Sequence, residues 1–281
     1  MKICRTIIAT LGLFALLQGA VHACSVPVFR YAMERWAPDY YEGICIHKGA
    51  MAQGDAASSL LEGETGELVN LGLSRVDLAS VAEEEVKGLL GGKVPEKLPA
   101  LALWYPGLKG RALPFWTGEF TPAMVSQLIE SPKRKELAKR LTAGQSGVWI
   151  LVESGDAAKD KAALQLLNQE LETATRQLTE MLPSIAAESE TPGLSFEFSV
   201  LPVSRSDPNE QFLLAMLLNS EPDLEKYANE PILFPVFGRG RALYALVAEG
   251  INADNIREAV GFLTGPCGCE VKMLNPGVDL L

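Results

Sequence analysis

Leu71-Gly-Leu-Ser-Arg-Val-Asp77 and Leu201-Pro-Val-Ser-Arg-Ser-Asp207 are two copies of one word. Downstream of the first come Pro99-Ala-Leu-Ala-Leu-Trp-Tyr105 and Gly110-Arg-Ala-Leu113. Downstream of the second come Pro231-Ile-Leu-Phe-Pro-Val-Phe237 and Gly240-Arg-Ala-Leu243. The Ser-Arg-x-Asp words lie 130 residues apart, as do the Gly-Arg-Ala-Leu words, and the two prolines keep nearly the same offset. Three features in one order at one spacing indicate a duplicated unit.

The pattern around each copy supplies the elements. In the first unit, Val28, Phe29, Ala32, Met33 and Trp36 share one face, which predicts a helix over 25–36. Tyr40–His47 reads as a strand, and Asp55 as the cap of a short helix, Ala56–Glu62. Leu68–Val76 reads as a second strand, Leu78–Leu90 as a helix, and Leu98–Tyr105 as a third strand. Arg111–Phe120 completes a hairpin, and a long helix starts at Pro122 with Met124, Val125, Leu128, Ile129, Leu137 and Leu141 inward. The second unit runs in the same order. It has an apolar strand at Val148–Val152, a helix at Ala157–Leu182 and a strand at Phe196–Val203. A helix at Asn209–Leu218, a hairpin of Ile232–Phe237 with Arg241–Ala248, and a closing helix at Ala253–Leu263 follow.

Each unit therefore reads β-α-β-α-β-β-α with a proline at the head of its third strand. That order resembles the thioredoxin fold, in which a cis proline precedes the third strand, and Pro99 and Pro231 stand at that place. The resemblance implies an α/β protein of two tandem thioredoxin-like three-layer α/β/α domains. The expected boundaries are 24–144 and 145–266, after a signal peptide at 1–23 and before an irregular tail at 267–281. It also implies a Cys-x-x-Cys at the start of the helix after the first strand, which here means Lys48–Ala57 and Ser154–Lys161. Neither stretch contains a cysteine. A thiolate nucleophile of the usual kind is missing from both units.

Composition narrows the partners. The chain has 281 residues, is 48% hydrophobic and carries a net charge of −10. Such an acidic balance argues against nucleic acid, whose binders carry basic patches, and against docking on anionic lipid. Lys2 and Arg5, the apolar run Ile7–Leu17 and the small Ala23 have the layout of an export signal. Cleavage there would make Cys24 the first mature residue, a candidate for lipidation or for a disulfide. The membrane would then be reached only through a lipid anchor at Cys24.

Cys45 falls inside a predicted strand and reads as a small core residue. Cys267-Gly-Cys269 admits three readings: a disulfide with Cys24, a redox pair, or a soft-metal site with Cys24 as a third ligand. His47 is the sole histidine beyond the leader, which leaves little material for a His-rich metal site or a Ser-His-Asp arrangement. Arg75, Arg205, Arg111 and Arg241 in the repeated words are the places to look for a shared ligand. Taken together, the expectation is an exported non-catalytic binding or assembly module at the cell envelope, with a protein partner and no cofactor. The alternative is an envelope thiol-disulfide oxidoreductase or metal-binding protein using Cys267 and Cys269.

Overall fold

The computed structural model describes residues 26–62, 70–106, 113–189, 193–267, 272 and 277–280. Its elements are α1 (Val28–Arg35), β1 (Tyr41–His47), α2 (Ala52–Glu62), β2 (Leu71–Asp77), α3 (Glu83–Leu89), β3 (Ala100–Trp104), β4 (Trp116–Glu119), α4 (Pro122–Ile129) and α5 (Pro132–Thr142). They continue with β5 (Gly147–Glu153), α6 (Ala157–Ser189), β6 (Phe198–Ser204), α7 (Gln211–Leu218), β7 (Ile232–Phe237), β8 (Arg241–Ala242), β9 (Leu246–Val247), α8 (Ala253–Thr264) and β10 (Val278–Asp279). The protein is mixed α/β. No described helix is long and apolar enough to cross a membrane.

Two mixed sheets carry the same connectivity. In the first the order is β2-β1-β3-β4, with β1 and β2 parallel and β3 antiparallel to both neighbours. In the second it is β6-β5-β7-β8-β10, again with a parallel first pair and an antiparallel third strand. The repeated words occupy equivalent places: Ser74 and Ser204 near the ends of β2 and β6, Pro99 and Pro231 ahead of β3 and β7. β5 and β7 are apolar almost throughout because both faces of the second sheet are covered.

Several elements depart from the pattern reading. The long helix from Pro122 is two helices, since Pro132 removes a helical N–H and Ser131 starts a new helix by accepting from Arg134 N at 3.0 Å. Its halves face different cores. Met124 and Val125 pack with Leu101 and Phe120 of the first sheet, whereas Leu137 and Leu141 pack with Val148 and Ile150 of the second. α1, expected to cover the first unit, lies on the second, where Val28, Phe29 and Ala32 meet Trp149, Phe237 and Leu263. α2 begins at Ala52 rather than after Asp55, and α3 only at Glu83, because Ser80 and Val81 turn back onto the Asp77 carbonyl. The expected strand Arg241–Ala248 is broken into β8 and β9. Pro235 lies opposite the gap and has no N–H to offer, although its carbonyl accepts from Leu243 N at 2.9 Å.

The docking of α1 explains Gly238-Arg-Gly240. Gly238 has φ +57°, and a Cβ there would lie 2.6 Å from Ala32 Cβ. Arg239 Nε donates to the Met33 carbonyl at 2.8 Å, near the helix end where carbonyls lack helical partners. At the other end of α1, Pro27 and Pro266 face each other in an antiparallel bridge flanked by Val28 N to Gly265 O and Cys267 N to Val26 O, both 3.0 Å. Neither residue of this pair has to donate, which is why two prolines fit.

Substituting Gly238→Ala combines left-handed backbone strain with overpacking and should cost about 2–5 kcal/mol in urea unfolding. Gly49→Ala is the control: φ is +71° but the space is open, so about 1–2 kcal/mol is expected.

Candidate functional site

The place at which a thioredoxin-like dithiol would sit is the C-terminal end of β1. Ile46 pairs with Ala100, so His47 and Pro99 adjoin across the strands. The Leu98–Pro99 peptide is cis. His47 Nδ1 lies 3.1 Å from the Gly49 carbonyl. The Asp77 carboxylate accepts from Ala79 N at 2.9 Å and Gly49 N at 3.3 Å, and these two amides hold it below the usual carboxylate range. The arrangement is a hydrogen-bonded loop with no cysteine.

In the second unit the equivalent position is closed by its own side chains. Asp160 accepts from Ser154 N and Oγ at 2.7 and 2.8 Å and from Gly155 N at 3.2 Å. Asp156 caps Ala158 N and Lys159 N at 2.9 and 3.2 Å, and Lys159 reaches across to Glu230 at 2.5 Å. Among the described residues the Leu98–Pro99 bond is the single cis peptide, so the expectation of a cis bond at Pro231 is corrected: Glu230–Pro231 is trans. The trans form is the lower-energy isomer, and here the Glu230 carbonyl accepts from Arg205 Nη2 at 2.9 Å.

Arg205, a member of the repeated word, is thus a fastener. It also donates to Glu153 O at 2.9 Å and Tyr227 O at 3.2 Å, tying the ends of β5 and β6 to the approach of β7. Burial pulls its guanidinium below the usual value, and nearby Asp160 opposes this. Arg75 is exposed on β2, and Arg111 lies outside the described residues.

Arg241 is the centre of a charge cluster that pattern reading did not find. Its Nη1 donates to Asp279 Oδ1 at 2.9 Å and Asp39 Oδ2 at 3.0 Å, with the Arg241 and Asp279 side chains only 6% and 8% exposed. Lys272 Nζ reaches Asp39 Oδ1 at 2.8 Å and also the Ala37 carbonyl. Asp39 N donates to Asp279 Oδ2 at 2.8 Å, and the Tyr41 hydroxyl donates to the Asp279 carbonyl at 2.6 Å. Burial pushes the Tyr41 phenol well above its ordinary value, so it stays a donor. A cluster joining positions 39, 241, 272 and 279 leaves no local spacing to read.

The cysteines are placed as follows. Cys45 is buried, with its Sγ 3.7 Å from Met51 Sδ. Cys267 is 3% exposed in the core beneath α1. Cys24 and Cys269 lie outside the described residues, and with them the disulfide, redox-pair and three-thiolate readings. Among the described residues no group of three His, Cys, Asp or Glu could hold a metal. A further buried polar group was unforeseen: Glu210 accepts from Ser131 Oγ at 2.5 Å and Lys133 N at 2.8 Å, a carboxylate set at the start of α5. Its sequence signal, Ser-Pro at 131–132, marks the helix start but not the distant acid.

The chain matches no known protein-family profile, and no curated protein is significantly similar to it.

Removing one member of the buried pair, as in Arg241→Ala, should cost about 3–5 kcal/mol in urea unfolding, because the other charge is left uncompensated. Burial raises the Asp39 carboxyl, but Lys272 and then Arg241 outweigh it and hold the group below its ordinary value. The stabilisation is therefore present above about pH 4, the unfolded carboxyl range, and is lost as pH falls below it. Unfolding measured from pH 3 to 7 should show that loss, shallower in Lys272→Met.

Proposed function

We propose that this chain is an exported, non-catalytic pair of thioredoxin-like units that acts as a binding or assembly module at the cell envelope. What supports the reading is a strand order shared by two sheets and a cis proline at the head of β3, beside loops after β1 and β5 that hold no cysteine. Asp77 at the end of β2 accepts from Gly49 N of the first loop, and Asp160 in α6 accepts from Ser154 N and Gly155 N of the second. Export, and Cys24 as a candidate for lipidation or a disulfide, rest on the sequence of residues 1–24.

The alternative needs a thiolate that can reach a substrate. Attack on a disulfide sulfur depends on access as well as on thiolate fraction. Cys267 is buried against α1, and that burial counts against a role as the attacking thiol. The remaining case for Cys269 rests on sequence.

Insulin reduction and scrambled-disulfide repair decide between the two. The expected outcome is no turnover above the uncatalysed rate for the unmodified protein. Turnover that disappears in Cys267→Ser would overturn the non-catalytic reading.

A further inference from the structure

β6 is an edge strand of the second sheet, and its free edge is closed only in part. Pro202 sits mid-strand opposite Leu151 and has no N–H, so the even-numbered residues of β6 direct their backbone groups away from β5. Along that outer edge the Val200 carbonyl is taken by Arg140 Nη1 at 3.0 Å, and the Ser204 carbonyl by Asp207 N at 3.1 Å. Pro202 offers no donor. The N–H and C=O of Phe198 and the N–H of Val200 have no partner among the described residues. Most of the strand is thus protected against pairing while its first turn of edge is open.

The open part coincides with a groove. A concavity of about 500 Å³ runs between β6 and α6. Leu171 and the Phe198 ring form its floor, and Asn168, Thr175, Glu172 and Arg176 its rim. Glu172 and Arg176 are four residues apart on one helix, the spacing at which opposite charges usually pair. Here they pair neither with each other nor with any other described residue. Four helical residues advance about 6 Å, and two residues of an extended chain advance about 6.8 Å. Side chains at i and i+2 of a strand laid against Phe198 therefore match the spacing of the two charges.

We propose that this groove binds an extended peptide carrying a basic and an acidic side chain two residues apart. The peptide adds to β6 as an antiparallel strand, exchanging two hydrogen bonds with Phe198 as in any hydrogen-bonded antiparallel pair. Its basic side chain faces Glu172 and its acidic one Arg176, and the aliphatic stem of the basic one lies on Leu171 and Phe198. Pro202 and the Arg140 contact end the pairing, so the recognised segment is short. Arg140 also accounts for orientation: it blocks extension toward the C-terminal end of β6 and leaves the side nearer Phe198. This site deepens the binding-module reading and rests on it.

The test uses the purified protein, isotope-labelled, and three synthetic nonapeptides rich in Thr and Val. Their centres are Lys-Val-Asp, Lys-Val-Lys and Asp-Val-Asp, and amide shifts are followed through each titration. The expected result is shifts at Leu171, Thr175, Phe198 and Val200, with Lys-Val-Asp preferred roughly fivefold, as two exposed charge pairs allow. Glu172→Lys should move the preference to Asp-Val-Asp, and circular dichroism checks that this surface variant is folded. Shifts confined to another surface, or a preference unchanged in Glu172→Lys, would overturn the groove while leaving a binding role intact. No binding of any peptide overturns the groove too, and it reaches the binding-module reading only if thiol–disulfide turnover is found as well.

Discussion

The second sheet has apolar side chains on both faces of its central strands, and most of the architecture follows from the need to roof both. Trp149 and Leu151 point to one side, Val148, Ile150 and Val152 to the other, and all are essentially inaccessible. One roof is built from α1, α6 and α8, the other from α5 and α7. Two of these helices are taken from before the sheet in the chain: α1 from the far N-terminal side and α5 from the end of the first repeat. Each buried Leu, Ile or Phe of that size removes roughly 1.5–3 kcal/mol of exposure cost. α6 and α8 cover part of one face and α7 part of the other, and α1 and α5 complete the cover. The two sheets share a strand order, whereas the helices around them are distributed differently.

The charge cluster at Arg241 belongs to the same economy. The segment between α1 and β1 has to cross from one sheet to the other, and Asp39 lies within it. Arg241 and Asp279 fix that crossing from the second sheet, Lys272 from outside it, and Tyr41 from the first. A buried ion cluster contributes little as net stabilisation compared with well-packed apolar groups, while loss of one partner is costly. The cluster ties the start of β1 to β8 and β10. Tyr41, Tyr105 and Phe115 fill the space alongside, with ring centroids 4.5 to 6.1 Å apart.

Much of the strand plan was legible from residues alone. Continuous apolar runs gave β3, β5 and β7, and the repeated words gave the equivalence of the two sheets. Helix starts with proline or a short polar cap, such as Pro122 and Asn252, were also readable. What was missed shares one cause. Periodicity reports that a helix has an apolar face but not which sheet the face meets, so α1 and the second half of the helix from Pro122 were assigned by chain proximity. The apolar pattern continues through Leu137 and Leu141 past Pro132, where the chain in fact starts a new helix. Of the site, Pro99 was readable as a place for a cis bond. The clasping roles of Arg205 and Arg241, the trans bond at Pro231 and the groove over Phe198 depend on partners many positions away.

The Pro27–Pro266 bridge has a consequence for the order of events in synthesis. α1 is among the first described elements to be made, and its seat at Gly238 and Gly265 among the last. Until Phe237, Gly238 and α8 have been made, the face of Val28, Phe29 and Ala32 lacks part of its native seat. Contacts of such long sequence separation are closed late, since the chain between them must first lose its freedom. The second sheet is therefore fully roofed only once α8 has been made, and the first sheet in turn takes Phe212 of α7 into its core.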